Sequence, residues 1–184
     1  MSIKIPFFSI LIPSYNRPDE LSRCIGSIIV GPFEDYEIII SDDNSPRKSE
    51  IEAVVQSFGS GGKIRFYQQA SNLKEPDNKN FLVNQARGQF NIILGDDDTL
   101  AKEALSYLYN YIDIEPKSDI YGFGYRVVDE HGGHLSVNRS SRSVHLEGHV
   151  SRLKLLEAGL LPMAIFHPAT VCCRAGVEKS LPYS

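Results

Sequence analysis

Three consecutive carboxylates, Asp96, Asp97 and Asp98, follow Gly95 and the apolar run Ile92–Leu94. A short β-branched run bounded by polar residues predicts a buried strand, so the carboxylates lie in the loop at its end. Adjacent carboxylates repel one another, and a fold that crowds them normally supplies a metal ion or a basic partner. If extended backbone persists past Gly95, Asp96 and Asp98 point the same way and could hold one hard divalent cation.

A helix cap is the alternative explanation for these carboxylates. Asp caps the free N–H groups at a helix N-terminus and is stabilised by the positive end of the helix dipole. Asp98 fits that role before a helix predicted over Thr99–Tyr111. Capping accounts for one or two carboxylates but not for three, so the segment itself favours a site for a metal ion or a cationic ligand.

Polar residues also follow two earlier predicted strands. Ser14–Arg17 comes after the β-prone run Phe7–Ile12, and Asp42–Ser45 comes after the apolar run Tyr36–Ser41. If the strands are parallel, their carboxyl ends lie at one edge of the sheet, where ligands of α/β sheets bind. A ligand site explains three independent polar segments at that edge better than three unrelated helix caps do.

Helical patterns alternate with these strands. The first helix opens at Arg17-Pro18 and is stopped by Gly31-Pro32. Alternation of strands and helices predicts an α/β fold, with a mainly parallel sheet covered by helices on both faces. The remaining predicted elements of this part are a helix around Ile51–Phe58, a strand over Ile64–Gln68, and a helix over Lys79–Ala86 with Gly88 in its C′ position.

The pattern changes after residue 118. Asp119–Asp129 predicts one long strand, His131–His134 a hairpin turn and Leu135–Asn138 the antiparallel return strand. We interpret the two histidines as turn residues and not as a metal pair, because no further ligand lies nearby. The later predictions are a loop over Asn138–His149 whose Arg139 and Arg142 are solvated or close over an anionic ligand, a helix over His149–Gly159 and a strand over Thr170–Cys173.

Length and composition exclude several classes of protein. A chain of 184 residues suits one domain with a full core, and a net charge of −4 gives no basic field for nucleic acid. No apolar run reaches the ~20 residues that span a bilayer, and the N-terminus lacks the pattern of a signal peptide. We therefore expect a cytoplasmic protein whose three cysteines are reduced and buried.

Four segments resemble, in order and spacing, the GT-A glycosyltransferases of family 2, inverting enzymes that use nucleotide-sugar donors. They are Ser9–Asn16, Glu37–Ser45, Lys79–Gly88 and Ile92–Asp98. The likeness is good over about the first hundred residues and loose beyond them. It implies one GT-A domain over residues 1–184, with a Rossmann-like sheet and a late antiparallel hairpin. It also implies sugar transfer to a glycan or another hydroxyl acceptor, in polysaccharide or cell-surface glycan synthesis.

The resemblance also implies roles for individual residues. Tyr15 would stack on the base of the donor and Asp43 would hydrogen-bond to it, with Asp42 supporting the pocket. Uracil offers a flat face to the phenol and an N3–H group to the carboxylate, which favours a UDP-sugar. The full donor-nucleotide set is Pro13, Tyr15, Asn16, Asp42, Asp43, Lys79, Asp96 and Asp97.

A divalent metal is implied at the acidic segment. Asp98 would coordinate Mn²⁺ or Mg²⁺ directly, and Asp96 or Asp97 would meet the ribose or the water shell of the metal. Lys79 would add positive charge near the phosphates, although a solvated surface lysine is an equally good interpretation. The family often has Asp in place of Gly95 and Gly in place of Asn44, yet three carboxylates remain and Asn tolerates a left-handed turn.

The general base of the implied reaction has no counterpart in this sequence. An inverting transfer needs a carboxylate to deprotonate the acceptor hydroxyl, and the family supplies it after the segment that Pro168–Arg174 resembles. Glu178 is a poor match. We therefore expect the catalytic base beyond residue 184, the chain to be a truncated catalytic domain, and any contact with the inner face of a membrane to come from missing regions or partners.

Two other functions fit parts of the pattern. A nucleotidyltransferase also binds a nucleotide and a metal at the edge of an α/β sheet, but it usually has a Gly-rich phosphate loop where this chain has Pro13–Arg17. A non-catalytic module that binds a nucleotide sugar would need no general base. The sequence does not identify the transferred sugar, the acceptor or the linkage.

Overall fold

The structure is a computed structural model that describes residues 4–59, 61–122, 124–129, 133–138 and 171–177. Arg139, Arg142, the predicted helix over His149–Gly159 and Glu178 lie outside the described residues. None of the helices in the described ranges is long and apolar enough to cross a membrane.

The described residues form eight strands and four helices. The strands are β1 (Phe8–Ser14), β2 (Tyr36–Asp42), β3 (Ile64–Gln68), β4 (Phe90–Ile93), β5 (Ile120–Gly122), β6 (Tyr125–Val128), β7 (His134–Asn138) and β8 (Val171–Arg174). The helices are α1 (Pro18–Ile29), α2 (Lys48–Ser57), α3 (Glu75–Gln85) and α4 (Ala104–Ile114).

Six strands form one sheet in the order β3-β2-β1-β4-β8-β5. The four strands from β3 to β4 are parallel, and β8 runs antiparallel between β4 and β5. This confirms the predicted α/β fold with a mainly parallel sheet. The strand order reverses direction between β1 and β4, and the crevice at such a switch point is where open α/β sheets bind ligands.

Both faces of the sheet are covered, as the near-continuous apolar runs of β1, β2 and β4 predict. Side chains of α1, α2 and α4 pack with one face in a cluster that includes Ile10, Ile38 and Ile92. Leu82 and Val83 of α3 pack with the other face. Because alternate residues of each strand enter different clusters, the sheet is anchored from both sides and its carboxyl edge is held in place.

Two predicted helix boundaries are wrong. The helix after the carboxylates is α4, which begins at Ala104 and not at Thr99, so Asp98 is not its N-cap. Helix α3 ends at Gln85 with Ala86 in extended backbone, so Gly88 is not its C′ residue. A Cβ on Gly88 would lie 2.6 Å from the backbone nitrogen of Ser9, so glycine is needed here for close packing on β1.

The predicted long strand over Asp119–Asp129 is also divided. Its first part, β5, pairs with β8 in the large sheet, whereas its second part, β6, pairs with β7 in a separate antiparallel hairpin. The late hairpin is therefore confirmed, but the strand that leads into it is not continuous. Local β-propensity cannot distinguish one long strand from two short ones that pair with different partners.

Candidate active site

The loops that follow β1, β2 and β4 meet beyond the carboxyl ends of these strands. The Tyr15 amide donates a hydrogen bond to Asp96 Oδ2 over 3.3 Å. The Asn16 amide donates to Ser45 Oγ over 2.7 Å. These bonds join the first loop to the loop after β4 and to the loop after β2, so the three polar segments converge as predicted.

Arg17 adds a charged link between the first loop and the acidic loop. Its Nη1 atom lies 2.6 Å from Asp97 Oδ2 and 3.3 Å from Asp96 Oδ1. Attraction to Asp96, and then to Asp97, raises the pKa of Arg17, so the guanidinium stays cationic. The crowded carboxylates therefore have a basic partner within the chain.

Asp96 is the buried member of the acidic loop. Its side chain is 7 % exposed, whereas those of Arg17 and Asp97 are about half exposed. Burial raises the pKa of the Asp96 carboxyl, and the Tyr15 amide and the Arg17 guanidinium offset part of that rise. A carboxylate in this position is stabilised by any cation that approaches it.

The backbone turns after Gly95 and does not continue as a strand. The Asp98 amide donates to the Gly95 carbonyl over 3.1 Å. A Cβ on Gly95 would lie 2.9 Å from Asp97 Oδ1 and 3.0 Å from Asp98 Oδ2, so both carboxylates fold back over the glycine. The condition for aligning Asp96 with Asp98, extended backbone past Gly95, is therefore not met.

The adjacent carboxylates of Asp42 and Asp43 serve different segments. Asp42 is fully buried and accepts hydrogen bonds from the amide and the hydroxyl of Ser45. Asp43 is also buried, and its two oxygens accept from the amides of Leu73 and Lys74 over 2.6 and 3.1 Å. Asp42 thus shapes its own turn, whereas Asp43 holds the loop that precedes α3. A carboxylate accepts about four hydrogen bonds, which leaves Asp43 capacity for a ligand.

Three non-glycine residues with positive φ lie in the loops at this edge. They are Asn16 (φ 59°), Asn44 (φ 61°) and Lys74 (φ 72°). Asn tolerates left-handed backbone because its short polar side chain can bond locally, which agrees with the prediction for Asn44. Lys74, with ψ 161°, lies in a region that essentially only glycine occupies, at a cost of about 1–3 kcal/mol. Such strain clusters at ligand sites.

The remaining predicted donor residues differ in exposure. Tyr15 is 47 % exposed directly after β1, so its ring is available to a ligand. Pro13 is half-buried within β1, opposite Ser41 of β2. Lys79 is 8 % exposed, and its Nζ pairs with Glu75 one turn earlier on α3. Lys79 thus pairs with a carboxylate of its own helix.

Cys24 of α1 supports the acidic loop from the core. Its Sγ lies 3.5 Å from the Gly95 carbonyl oxygen, to which the thiol donates. Burial raises the pKa of this thiol well above its usual range, and the nearby carboxylates raise it further. The thiol is therefore a neutral packing group. All three cysteines are free and buried, as predicted.

The acidic loop suits a metal by the chemistry of its ligands. Carboxylate oxygens are the ligands that Mn²⁺ and Mg²⁺ prefer. Within the described ranges, no group of three or more His, Cys, Asp or Glu side chains is arranged to hold a metal ion. The acidic loop therefore offers carboxylate oxygens but no complete set of ligands, so phosphate oxygens and water would have to supply the others.

Three residues of the site had no individual role assigned from the sequence. Arg17 and Ser45 were placed at this edge only as members of polar segments, and Lys74 was not singled out. No local pattern places Arg17 against Asp96, because these residues are 79 positions apart. A lysine directly before a Glu-Pro helix start gives no sign of positive φ, so Lys74 could be found only from its backbone.

Comparison with known proteins places the chain in a family. The Glycosyl transferase family 2 profile matches residues 9–173. The GalNAc(5)-diNAcBac-PP-undecaprenol beta-1,3-glucosyltransferase of Campylobacter jejuni is 32 % identical over 156 residues, 84 % of this chain and 48 % of that protein. The chain thus spans about half the length of this relative.

Solved structures share the fold. The structure of S. aureus TarS 1-349 in complex with UDP-GlcNAc aligns with a TM-score of 0.67 and 19 % identity, over 95 % of this chain and 47 % of that one. The mannosyltransferase PcManGT from Pyrobaculum calidifontis, in complex with GDP-Man and Mn²⁺, aligns with a TM-score of 0.67 and 12 % identity, over 98 % of this chain and 48 % of that one. With the family profile matched over most of its length, the chain belongs to glycosyl transferase family 2 and has the GT-A fold.

Proposed function

We propose that this chain is the part of a glycosyltransferase that binds the sugar donor, a UDP-sugar. The enzyme would transfer the sugar, with inversion, to a hydroxyl group of a carbohydrate acceptor in the synthesis of a cell-surface glycan. The observation that carries the proposal is the junction of three loops at the switch point of the sheet. Hydrogen bonds of Tyr15 to Asp96 and of Asn16 to Ser45 bring a half-exposed aromatic ring, an acidic loop and the Asp43 loop together.

The nucleoside would lie against the first two loops. The exposed Tyr15 ring offers a face on which a base can stack, and Asp43 retains lone pairs that can accept an imino N–H. Uracil has such a group between two carbonyl oxygens. The TarS complex with UDP-GlcNAc, a protein of the same fold, supports a uridine donor.

The diphosphate would lie toward the acidic loop. Asp98 and Asp96 would hold Mn²⁺ or Mg²⁺, which neutralises charge on the leaving diphosphate when it is bound. Asp97 would meet the ribose or the water around the metal. The PcManGT complex with GDP-Man and Mn²⁺ supports a metal-bound donor in this fold. Arg17 is the cation that holds this loop before a ligand arrives.

Binding of nucleoside diphosphates tests the proposal. Titration calorimetry with Mn²⁺ should give tighter binding of UDP than of ADP or GDP, and chelation of the metal should weaken it. Equal affinity for all three diphosphates would contradict the uridine assignment. Binding that does not change on chelation would contradict the role given to the metal.

A further inference from the structure

Lys74 has a backbone conformation that side chains disfavour. Its φ of 72° and ψ of 161° lie where the Cβ of any residue except glycine meets neighbouring backbone atoms. Glycine would satisfy the same turn without strain. The backbone of the turn therefore does not require a lysine, so a specific role of this residue would lie in its side chain.

The surrounding structure enforces this conformation. Asp43 accepts hydrogen bonds from the amides of Leu73 and Lys74, and Asn72 Oδ1 accepts a second bond from the Lys74 amide over 3.1 Å. Asp43 is 5 % exposed, so it is fixed in the carboxyl edge of the sheet. The strained residue is therefore tied to the carboxylate that the proposed function assigns to the base.

The side chain of Lys74 is available to a ligand. It is exposed, and among the residues that the structure describes its ammonium group makes no ion pair. Lys79, the lysine assigned from the sequence, is by contrast buried and paired with Glu75. Of these two lysines near the donor pocket, Lys74 is the one with a solvated ammonium group.

We propose that Lys74 is a specificity-determining residue of the donor site. Its ammonium group donates a hydrogen bond to O4 of the base, beside the N3–H group that donates to Asp43. The inference rests on the proposed function. A donor beside an acceptor matches the edge of uracil, where N3–H adjoins a carbonyl oxygen. Cytosine has an unprotonated N3 in place of N3–H and an amino group in place of O4, so it matches neither Asp43 nor Lys74 and the pair disfavours it.

Three variants distinguish the effect of the Lys74 backbone from the effect of its side chain. Lys74→Gly removes both the strain and the side chain. Lys74→Ala removes the side chain beyond Cβ, with its ammonium group, and keeps the strain, whereas Lys74→Arg keeps a cation. Lys117→Ala is the matched charge control, because Lys117 is exposed in the turn between α4 and β5, next to the amino end of β4. Each protein is titrated with UDP and with CDP in the presence of Mn²⁺, and its melting temperature is measured without ligand.

We expect Lys74→Gly and Lys74→Ala to lose about 5- to 30-fold in UDP affinity while CDP affinity changes by about twofold or less. Lys74→Gly alone should melt at least about 2 °C higher than the parent. Lys74→Arg and Lys117→Ala should keep the preference for UDP over CDP. A gain in stability together with a loss of selectivity is a result that a purely structural lysine would not give.

Two results would overturn the inference while leaving the proposed function intact. One is a parent that binds UDP and a Lys74→Gly variant that binds it equally well. The other is an equal loss of UDP and CDP affinity, which would place the ammonium group on the phosphates and not on the base. A parent that binds no nucleoside diphosphate would overturn the proposed function and this inference together.

Discussion

Arg17 Nη1 lies 2.6 Å from Asp97 Oδ2, a contact between residues 80 positions apart in the sequence. It joins the N-terminus of α1 to the loop after β4, across the crevice where the strand order reverses. The same nitrogen reaches the buried Asp96. The Arg17 guanidinium therefore offsets the negative charge of the carboxylates at the proposed metal site.

Arg17→Met should lower the free energy of unfolding by about 0.5–1 kcal/mol at low salt, because Arg17 and Asp97 are both about half exposed and solvent screens the guanidinium. The loss should shrink in about 1 M NaCl, where the screening length falls to ~3 Å. Mn²⁺ alone should then raise the melting temperature of the variant more than that of the parent. Arg23→Met is the control, because Arg23 forms an exposed pair with Glu20 on the same helix. An equal response of both proteins to Mn²⁺ would argue against Arg17 as the counter-ion.

Asp98→Asn should abolish the Mn²⁺-dependent part of UDP binding and leave the fold intact, because the amide keeps the size of the side chain but loses its charge. Calorimetry with and without Mn²⁺ measures the change, and circular dichroism checks the fold. Asp113→Asn, an exposed position on α4, is the matched control. UDP affinity equal to that of the parent, each with Mn²⁺, would exclude Asp98 as a metal ligand.

Tyr15→Ala should weaken UDP binding by roughly 1–3 kcal/mol, the range of stacking between a base and an aromatic ring. The stability of the protein should change little, since the ring is 47 % exposed. Tyr107→Ala, on the exposed face of α4, removes a ring that is 72 % exposed and should not affect UDP binding. The stacking assignment is lost if both variants bind UDP like the parent.

Gly88→Ala should destabilise the fold by about 1–3 kcal/mol, the range for overpacking. The new Cβ would lie 2.6 Å from the nitrogen and 2.7 Å from the Oγ of Ser9 in the buried strand β1. Gly61→Ala is the control, because its Cβ would have nothing within 4 Å. Urea denaturation of the two variants and the parent measures the difference. Similar midpoints for the two variants would show that the contact with β1 relaxes easily.

Stability should fall as pH rises above about 8.5, the ordinary thiol pKa, through the contribution of Cys24. Burial holds the pKa of the folded thiol well above that of the unfolded one, so ionisation favours the unfolded chain. This stabilisation is complete below the ordinary pKa and is lost progressively above it. Cys24→Ala should show a flatter decline between about pH 7.5 and 10 by urea denaturation. Parallel curves for variant and parent would mean that the thiol ionises equally in both states.

Thiol labelling checks the same burial independently. A disulfide reagent at neutral pH should modify the native protein slowly, because all three cysteines are buried. After unfolding in guanidinium, all three should react.

Much of the first hundred residues could be predicted from local sequence. The apolar runs gave the positions of β1, β2, β3 and β4 to within two residues, and the polar residues after them fell at one edge of the sheet. These features depend on hydrophobic period and on the helices that alternate with the strands, which are local properties. The family resemblance rests on the same segments, and the family profile agrees with it.

Two of the late strands, predicted over Leu135–Asn138 and Thr170–Cys173, agree with β7 and β8 to within one residue, but the strand predicted before them does not. A run of Tyr, Phe and Val predicted one strand over Asp119–Asp129, but tertiary pairing divides it between two sheets. The helix expected at Thr99 begins at Ala104, since the chain turns after Gly95 and stays irregular through Glu103. Strand pairing and turn geometry depend on which segments lie next to each other in the folded chain, and local sequence composition does not predict that.

The sequence by itself determined the types of element, the edge at which polar residues gather and the family to which the chain is similar. Only the tertiary structure decided that Arg17 contacts Asp96 and Asp97, that Asp43 holds the loop before α3, and that Lys74 adopts a strained backbone. The physical reason is that element type follows from local periodicity and propensity. A contact between distant residues exists only after strand order and helix packing have closed the loops between them.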